Sequence, residues 1–488
     1  MTSPIGPRGP VGNLDRASSS DFLSPPGAKS CGLLEANETF CDTAGAEKTR
    51  RGDREVSGRV PSLHKPPIAP TREWTALFYL DGNASDIERD VFHGFLSLEE
   101  VADRPEIAMV AELGRIPEPP RSGASDEPVP PNDYRERWES VRRYEVAKGA
   151  PSSWPRRVST SVVQHDGKID SRLVADHGPQ DMSNPARLED FLVWGIRNYP
   201  SEHYMVVLSN HGGGFLGILS DDRSRKTMTV AEVDRVMERV QEQTGVKPDL
   251  LVMDACLMAQ AEVAGQVGQG ATWYVASQEY NFDSYPMQRT LERASKNWEQ
   301  GKPVSPEDMG DFLVSECSQL GNTFPTASLL DLRRMPECTG AVKKLADALL
   351  ATPTDRQVIR KLIAKTPGFA EGNQKVKPYS DYRDLGAFAR LLATSPKVQD
   401  AGLKEAAEEV LGVLEGGMVR ANAYTSRRDG ELSGMSIYLP LTGFDYSARG
   451  LHFPNHTDPR TYEETYRALE FVQQTGWDRV VEHFAEKA

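Results

Sequence analysis

The feature that most constrains this chain is a set of short apolar runs, at residues 75–80, 107–113, 204–209 and 250–253, each separated from the next by longer amphipathic stretches. Runs this short and this apolar suit strands buried on both faces, and such strands belong to parallel sheets covered by helices. The stretches between them supply helices. Residues 86–103 carry Ile87, Val91, Phe95, Leu98 and Val101 at helical spacing, and residues 188–198 place Leu188, Phe191 and Trp194 on one face. Thr229 followed by Glu232 is the capping-box signature of a helix reaching Gln243. Residues 272–277 and 326–332 read as further strands, and 135–148 and 158–166 as strands of a hairpin or extension. The alternation predicts an α/β fold: a mostly parallel sheet flanked by helices on both faces. After about residue 335 the pattern is mainly helical, with one late strand at 433–440. No internal repeat is visible.

The chain divides on composition. Residues 1–72 are rich in Pro, Gly, Ser and charge and cannot bury enough apolar surface to offset ordering, so they read as a disordered extension. Residues 73–335 form the α/β core, and 336–488 a helical region packed on it. Residues 117–133, with repeated prolines, read as a long surface loop. A formal charge of −14 gives no attraction to nucleic acid or to an anionic membrane. No apolar run is long enough to span a bilayer. The N-terminus lacks the apolar core of a secretory signal, so the expected location is cytoplasmic. The five cysteines (31, 41, 256, 317 and 338) form neither a disulfide framework nor a zinc spacing.

In open α/β sheets, chemistry collects beyond the carboxyl ends of strands. One apolar run ends at His211, followed by three glycines; another ends at Cys256. Side by side, such ends lie one or two strand spacings of about 4.8 Å apart. Their separation leaves room for one exposed loop and one crossover helix, as a parallel pair requires. A cysteine nucleophile needs a thiolate and a proton shuttle to the leaving amine, and histidine supplies both. A helix expected at 258–266 would place its positive N-terminus near Cys256 and favour the thiolate. The N–H groups of Gly212 and Cys256 are candidates for an oxyanion hole. Taken singly, a cysteine after a buried strand reads as core packing and a histidine before glycines as a turn residue. The pairing at two strand ends carries the catalytic reading.

The segments Ser209-Asn210-His211-Gly212-Gly213-Gly214 and Asp254-Ala255-Cys256-Leu257-Met258 resemble the two signature segments of the clostripain family of caspase-like cysteine peptidases. Leu80-Asp81-Gly82-Asn83, the stretch from Met182 to Pro200, Ser277-Gln278-Glu279 and the stretch from Gly434 to Pro440 resemble further family elements, so the likeness runs from about Trp74 to Trp477. The resemblance implies His211 as base and acid, Cys256 as nucleophile, and a dyad with no obligatory third residue. It also implies a basic residue before the scissile bond, held by acidic side chains. Asp254 matches one such acid; Asp283 is the nearest match to a second, in a loop that departs from the family's glycine-rich form, with Glu279 beside it. A carboxylate in a concave pocket gains most from a guanidinium. Asp254 also suits a helix N-cap, and Glu279 and Asp283 suit solvated loop carboxylates.

Family members often cut themselves in a loop after the histidine strand. Asp221-Asp222-Arg223-Ser224-Arg225-Lys226 stands there, and cleavage after Arg225 is expected, with Arg223 and Lys226 as alternatives. Lys48-Thr49-Arg50-Arg51 is a second basic run. No cofactor is expected. Calcium, required by some relatives, stays an alternative, since the acidic segments match no EF-hand loop and the sequence does not decide it. The expected partner is a protein or peptide with Arg or Lys before the cut. The rival readings are an inactive caspase-like scaffold or another cysteine hydrolase or acyltransferase.

Overall fold

The computed structural model describes residues 72–116, 138–149, 151–158, 161–165, 168–369, 381–425, 432–444 and 459–485. The expected extension, apart from Arg72, lies outside these residues, as do the proline-rich loop and the basic run at 48–51.

In chain order the strands are β1 (Arg72–Gly82), β2 (Ile107–Arg115), β3 (Ser140–Glu145), β4 (Pro151–Val158), β5 (Ser161–His165), β6 (Arg172–Asp176), β7 (Ser201–Ser209) and β8 (Ile218–Asp221). They continue with β9 (Lys226–Met228), β10 (Leu250–Asp254), β11 (Trp273–Ala276), β12 (Thr326–Asp331), β13 (Tyr382–Asp384), β14 (Val419–Tyr424) and β15 (Ser436–Tyr438). Nine form one sheet in the order β14-β12-β11-β10-β7-β1-β2-β3-β6. The central five, from β11 to β2, run parallel, as the apolar runs predict, and antiparallel strands continue the sheet on either side.

Side-chain alternation divides the sheet between two cores. Leu77, Val206 and Leu251 point to one face, which is covered by α2 (Pro185–Asn198), α3 (Val230–Thr244) and the C-terminal helices. Ala76, Phe78, Val207 and Val252 point to the other. That face is covered by α1 (Glu88–Glu99), α5 (Met287–Trp298) and α6 (Pro306–Gln319). Side-chain caps start α2 and α3. Asn184 accepts the Ala186 N–H ahead of α2, and Thr229 and Glu232 form the full capping box of α3.

Two local expectations change. The late strand is β15, and it joins β13 in a separate ribbon rather than the large sheet. Its Ser436 N–H instead donates to the Ala259 carbonyl, just beyond the cysteine segment. The large sheet takes β14, an edge strand whose half-exposed Val-Arg-Ala-Asn-Ala-Tyr sequence carries no apolar run to betray it. The helix expected from residue 258 is α4 (Ala261–Gln266). Leu257 and Ala259 send their N–H groups across to the carbonyls of Glu279 and Ser277, and Gln260 is still extended (φ −115°, ψ 142°), so the helix begins only at Ala261.

Candidate active site

Strands β7 and β10 are neighbours, with Ser209 opposite Asp254 at their carboxyl ends. His211 and Cys256 each follow two residues later, and both line one cleft of about 450 Å³. Asn210 anchors the histidine loop: its Nδ2 donates to the Asp81 carbonyl at 2.6 Å, and its Oδ1 accepts the Ser220 N–H at 2.7 Å. Tyr382 from the C-terminal region and Gln260 from the core hold the segment that follows. Tyr382 donates its hydroxyl to the Gly213 carbonyl at 2.7 Å, and Gln260 accepts the Phe215 N–H at 2.8 Å.

The cysteine loop turns sharply at Leu257, whose φ of 67° lies in the left-handed region. Asn281 brackets the sulfur: its N–H lies 3.3 Å from Cys256 Sγ, and its carbonyl oxygen lies 3.7 Å away. Burial pushes the Cys256 thiol up to about 12, against the Asn281 N–H, while the Asp254 carboxylate adds a smaller push upward. The helix-dipole expectation does not match the geometry: α4 begins at Ala261, too far along the chain to offset the burial of Cys256.

The turn's bonds run around Gly212, from Gly213 N–H to the Gly217 carbonyl and from Leu219 N–H to the His211 carbonyl. Among the described residues, neither Gly212 N–H nor Cys256 N–H donates to another residue.

Asp254 is buried at the cleft floor. It accepts the Ser209 hydroxyl at 2.8 Å and the Tyr285 N–H at 2.9 Å. It does not cap α4. Burial raises its carboxyl to about 7 against those two bonds, and Asp283 adds to the rise. Asp283 lines the cleft and accepts its neighbour's Ser284 N–H at 2.8 Å. Glu279 does not line it; it is buried beside the cysteine loop and accepts the Tyr280 N–H. With Asp86 and Asp90, four carboxylates and no lysine or arginine line the cleft among the described residues.

Sequence reading missed Asp86, whose Oδ1 lies 2.9 Å from His211 Nε2. The available signal was a carboxylate in the turn after β1, the strand beside the histidine strand. Arg223, Arg225 and Lys226 are exposed at the tip of the β8–β9 hairpin, with Arg225 at a φ of 56°. Asp221 anchors the hairpin's base by accepting from Asn83 Nδ2 and from the N–H groups of Met182 and Ser224. Among the described residues, no group of three or more His, Cys, Asp or Glu side chains is arranged to hold a metal ion.

The sequence model of the clostripain family, Peptidase C11, matches residues 156–484, which include both strand ends of the cleft. The chain belongs to the clostripain family. Clostripain of Hathewaya histolytica is 23% identical over 209 residues, which make up 40% of this chain and 36% of that protein, so the match spans about a third of that relative's length. The fold is similar to that of a secreted C11 cysteine protease from Bacteroides thetaiotaomicron, solved with an irreversible peptide inhibitor. That comparison gives a TM-score of 0.53 and 13% identity, covering 83% of this chain and 99% of the other. It is also similar to an inactive zymogen C11 protease from Parabacteroides distasonis, with a TM-score of 0.53, 16% identity, and coverage of 84% and 99%. No helix among the described residues is long and apolar enough to cross a membrane.

Proposed function

We propose that this chain is a cysteine endopeptidase that cuts after arginine or lysine, with Cys256 as nucleophile and His211 as acid and base. The carrying observation is the register of β7 on β10, which opens His211 and Cys256 into one acid-walled cleft.

In the forward step His211 takes the Cys256 proton as Sγ attacks the scissile carbonyl carbon. The oxyanion develops toward the N–H groups of Gly212 and Cys256. His211 then gives its proton to the leaving amine, the C–N bond breaks, and a thioester remains. Water, deprotonated by His211, attacks the thioester; the C–S bond breaks, the acid product leaves, and the proton returns to the sulfur. Burial raises the Cys256 thiol, so in this reading proton transfer to His211 accompanies the attack.

Specificity follows from charge. Asp254 at the floor, with Asp283 nearby, presents carboxylates that a guanidinium can bridge. Self-cleavage at the 221–226 hairpin is part of this reading, since its three exposed basic residues match the same preference.

The test is turnover of arginyl, lysyl, neutral and acidic peptide reporters, with labelling of Cys256 by an arginyl activated ketone. Turnover confined to basic reporters, with labelling lost in His211→Ala, is the expected result. Labelling and turnover absent from the intact protein would favour the inactive scaffold.

A further inference from the structure

We propose that Asp86 is a positioning residue for His211, fixing the imidazole in the tautomer that makes Nδ1 the basic nitrogen. The inference rests on the reading of His211 as the site's acid and base, and it adds a third member to the pair.

A carboxylate accepts hydrogen bonds and does not donate them. With Asp86 Oδ1 2.9 Å from His211 Nε2, the ring proton of neutral His211 sits on Nε2 and the lone pair on Nδ1. The same contact compensates the imidazolium formed when Nδ1 takes the thiol proton.

Asp86 is itself held. It precedes α1 in the turn after β1, and its neighbour Ser85 gives both N–H and hydroxyl to Asp222 Oδ2, at 2.9 and 2.8 Å. Asp222 N–H donates to the Asn83 carbonyl at 2.9 Å. The basic hairpin thus braces the turn that presents Asp86. The carboxylate is 59% exposed, which leaves its effect moderate.

Two readouts test this. In ¹⁵N-histidine protein carrying Cys256→Ala, long-range ¹⁵N–¹H spectra assign the tautomer of His211, picked out of nine histidines by its loss in His211→Ala. The expected form is Nε2–H, with the Nδ1–H fraction rising in Asp86→Ala, which removes the acceptor facing Nε2. An unchanged tautomer in Asp86→Ala, or Nδ1–H in the parent, overturns the proposal.

With arginyl reporters, kcat should fall about 10- to 100-fold in Asp86→Ala, less far in Asp86→Asn, whose amide oxygen still accepts from Nε2 without the charge, and recover in part in Asp86→Glu, with KM little changed. A rise in KM at constant kcat, equal for Ala and Asn, would make Asp86 a substrate-charge residue only and overturn it. If the intact protein turns over nothing, the peptidase reading fails on its own, and the tautomer spectrum still decides Asp86.

Discussion

Gly212 lies so close to the Cys256 backbone that a Cβ there would stand 2.4 Å from the Cys256 carbonyl oxygen. It would also meet Ala255 Cβ and Met258 Sδ, each at 2.9 Å. The first of these is backbone and cannot swing aside. The histidine and cysteine loops therefore keep their spacing only because residue 212 has no side chain. Gly212→Ala should destabilise the fold by about 1–3 kcal/mol through overpacking. It should also lower kcat about 10- to 100-fold by parting the loops by a fraction of an ångström. Gly340, within the helix Met335–Ala351, has nothing within 4 Å of its Cβ position. Gly340→Ala is the control, expected to be neutral or stabilising by up to about 1 kcal/mol with kcat unchanged. Equal kcat values for the two variants would refute the spacing argument.

Asp254 makes a pH-dependent prediction. Its carboxyl, raised to about 7, must be ionised to hold a guanidinium. For arginyl reporters kcat/KM should therefore fall as pH drops through about 7, an effect absent with neutral reporters. Asp254→Asn can still accept the Tyr285 N–H through its amide oxygen and donate to Ser209 Oγ, so the fold should survive. The lost charge should cost about 2–4 kcal/mol of transition-state binding, on the order of 100-fold in kcat/KM. Asp283→Asn should cost less, because that side chain is only half-buried. Full arginyl selectivity in Asp254→Asn would remove Asp254 from the specificity pocket.

How much of this site is legible in the sequence depends on the range of the interactions. The apolar runs specify buried parallel strands, so the ends carrying His211, Asp254 and Cys256 can be read without coordinates. The start of α4 cannot, because Leu257-Met258-Ala259 is a helix-compatible run whose amides are claimed by Glu279 and Ser277 from another strand's loop. Glu279 reads as a loop carboxylate, yet Ser277 and Thr326 pull its backbone inward and bury it away from the cleft. Asp86 reads as the first turn of a helix. Its contact with His211 arises only from the pairing of β1 with β7, which no local pattern encodes.

The β8–β9 hairpin presents Arg223, Arg225 and Lys226 to solvent, while Asp221 and Asp222 tie its base to the core. A cut at the tip should leave both pieces associated, since β7 and β10 lie on opposite sides of it in sequence and pair within one sheet. Incubated purified protein should give two fragments on a denaturing gel and one species by size exclusion. Cys256→Ala should stay whole, and mass spectrometry should place the new C-terminus at Arg225 or at its two basic neighbours. An uncut but active enzyme would show that the exposed run is merely solvated.

Glu262 tests the core behind the cleft. It accepts the Tyr438 N–H and the Tyr466 hydroxyl, both at 2.9 Å, and among the described residues its Oε2 is buried without a partner. Burial raises its carboxyl from 4.5 to about 7. A carboxyl raised in the folded state holds its proton more tightly there than in the unfolded chain. Its contribution to stability is therefore complete below about 4.5 and drains away as pH rises through about 7. Glu262→Gln keeps an oxygen for both donors and does not titrate. Urea unfolding at pH 5 and pH 8 should show the wild type losing about 2–3 kcal/mol relative to Glu262→Gln across that interval, after changes common to both cancel. A parallel response of the two proteins would mean that Glu262 stays ionised in the fold, with water reaching Oε2.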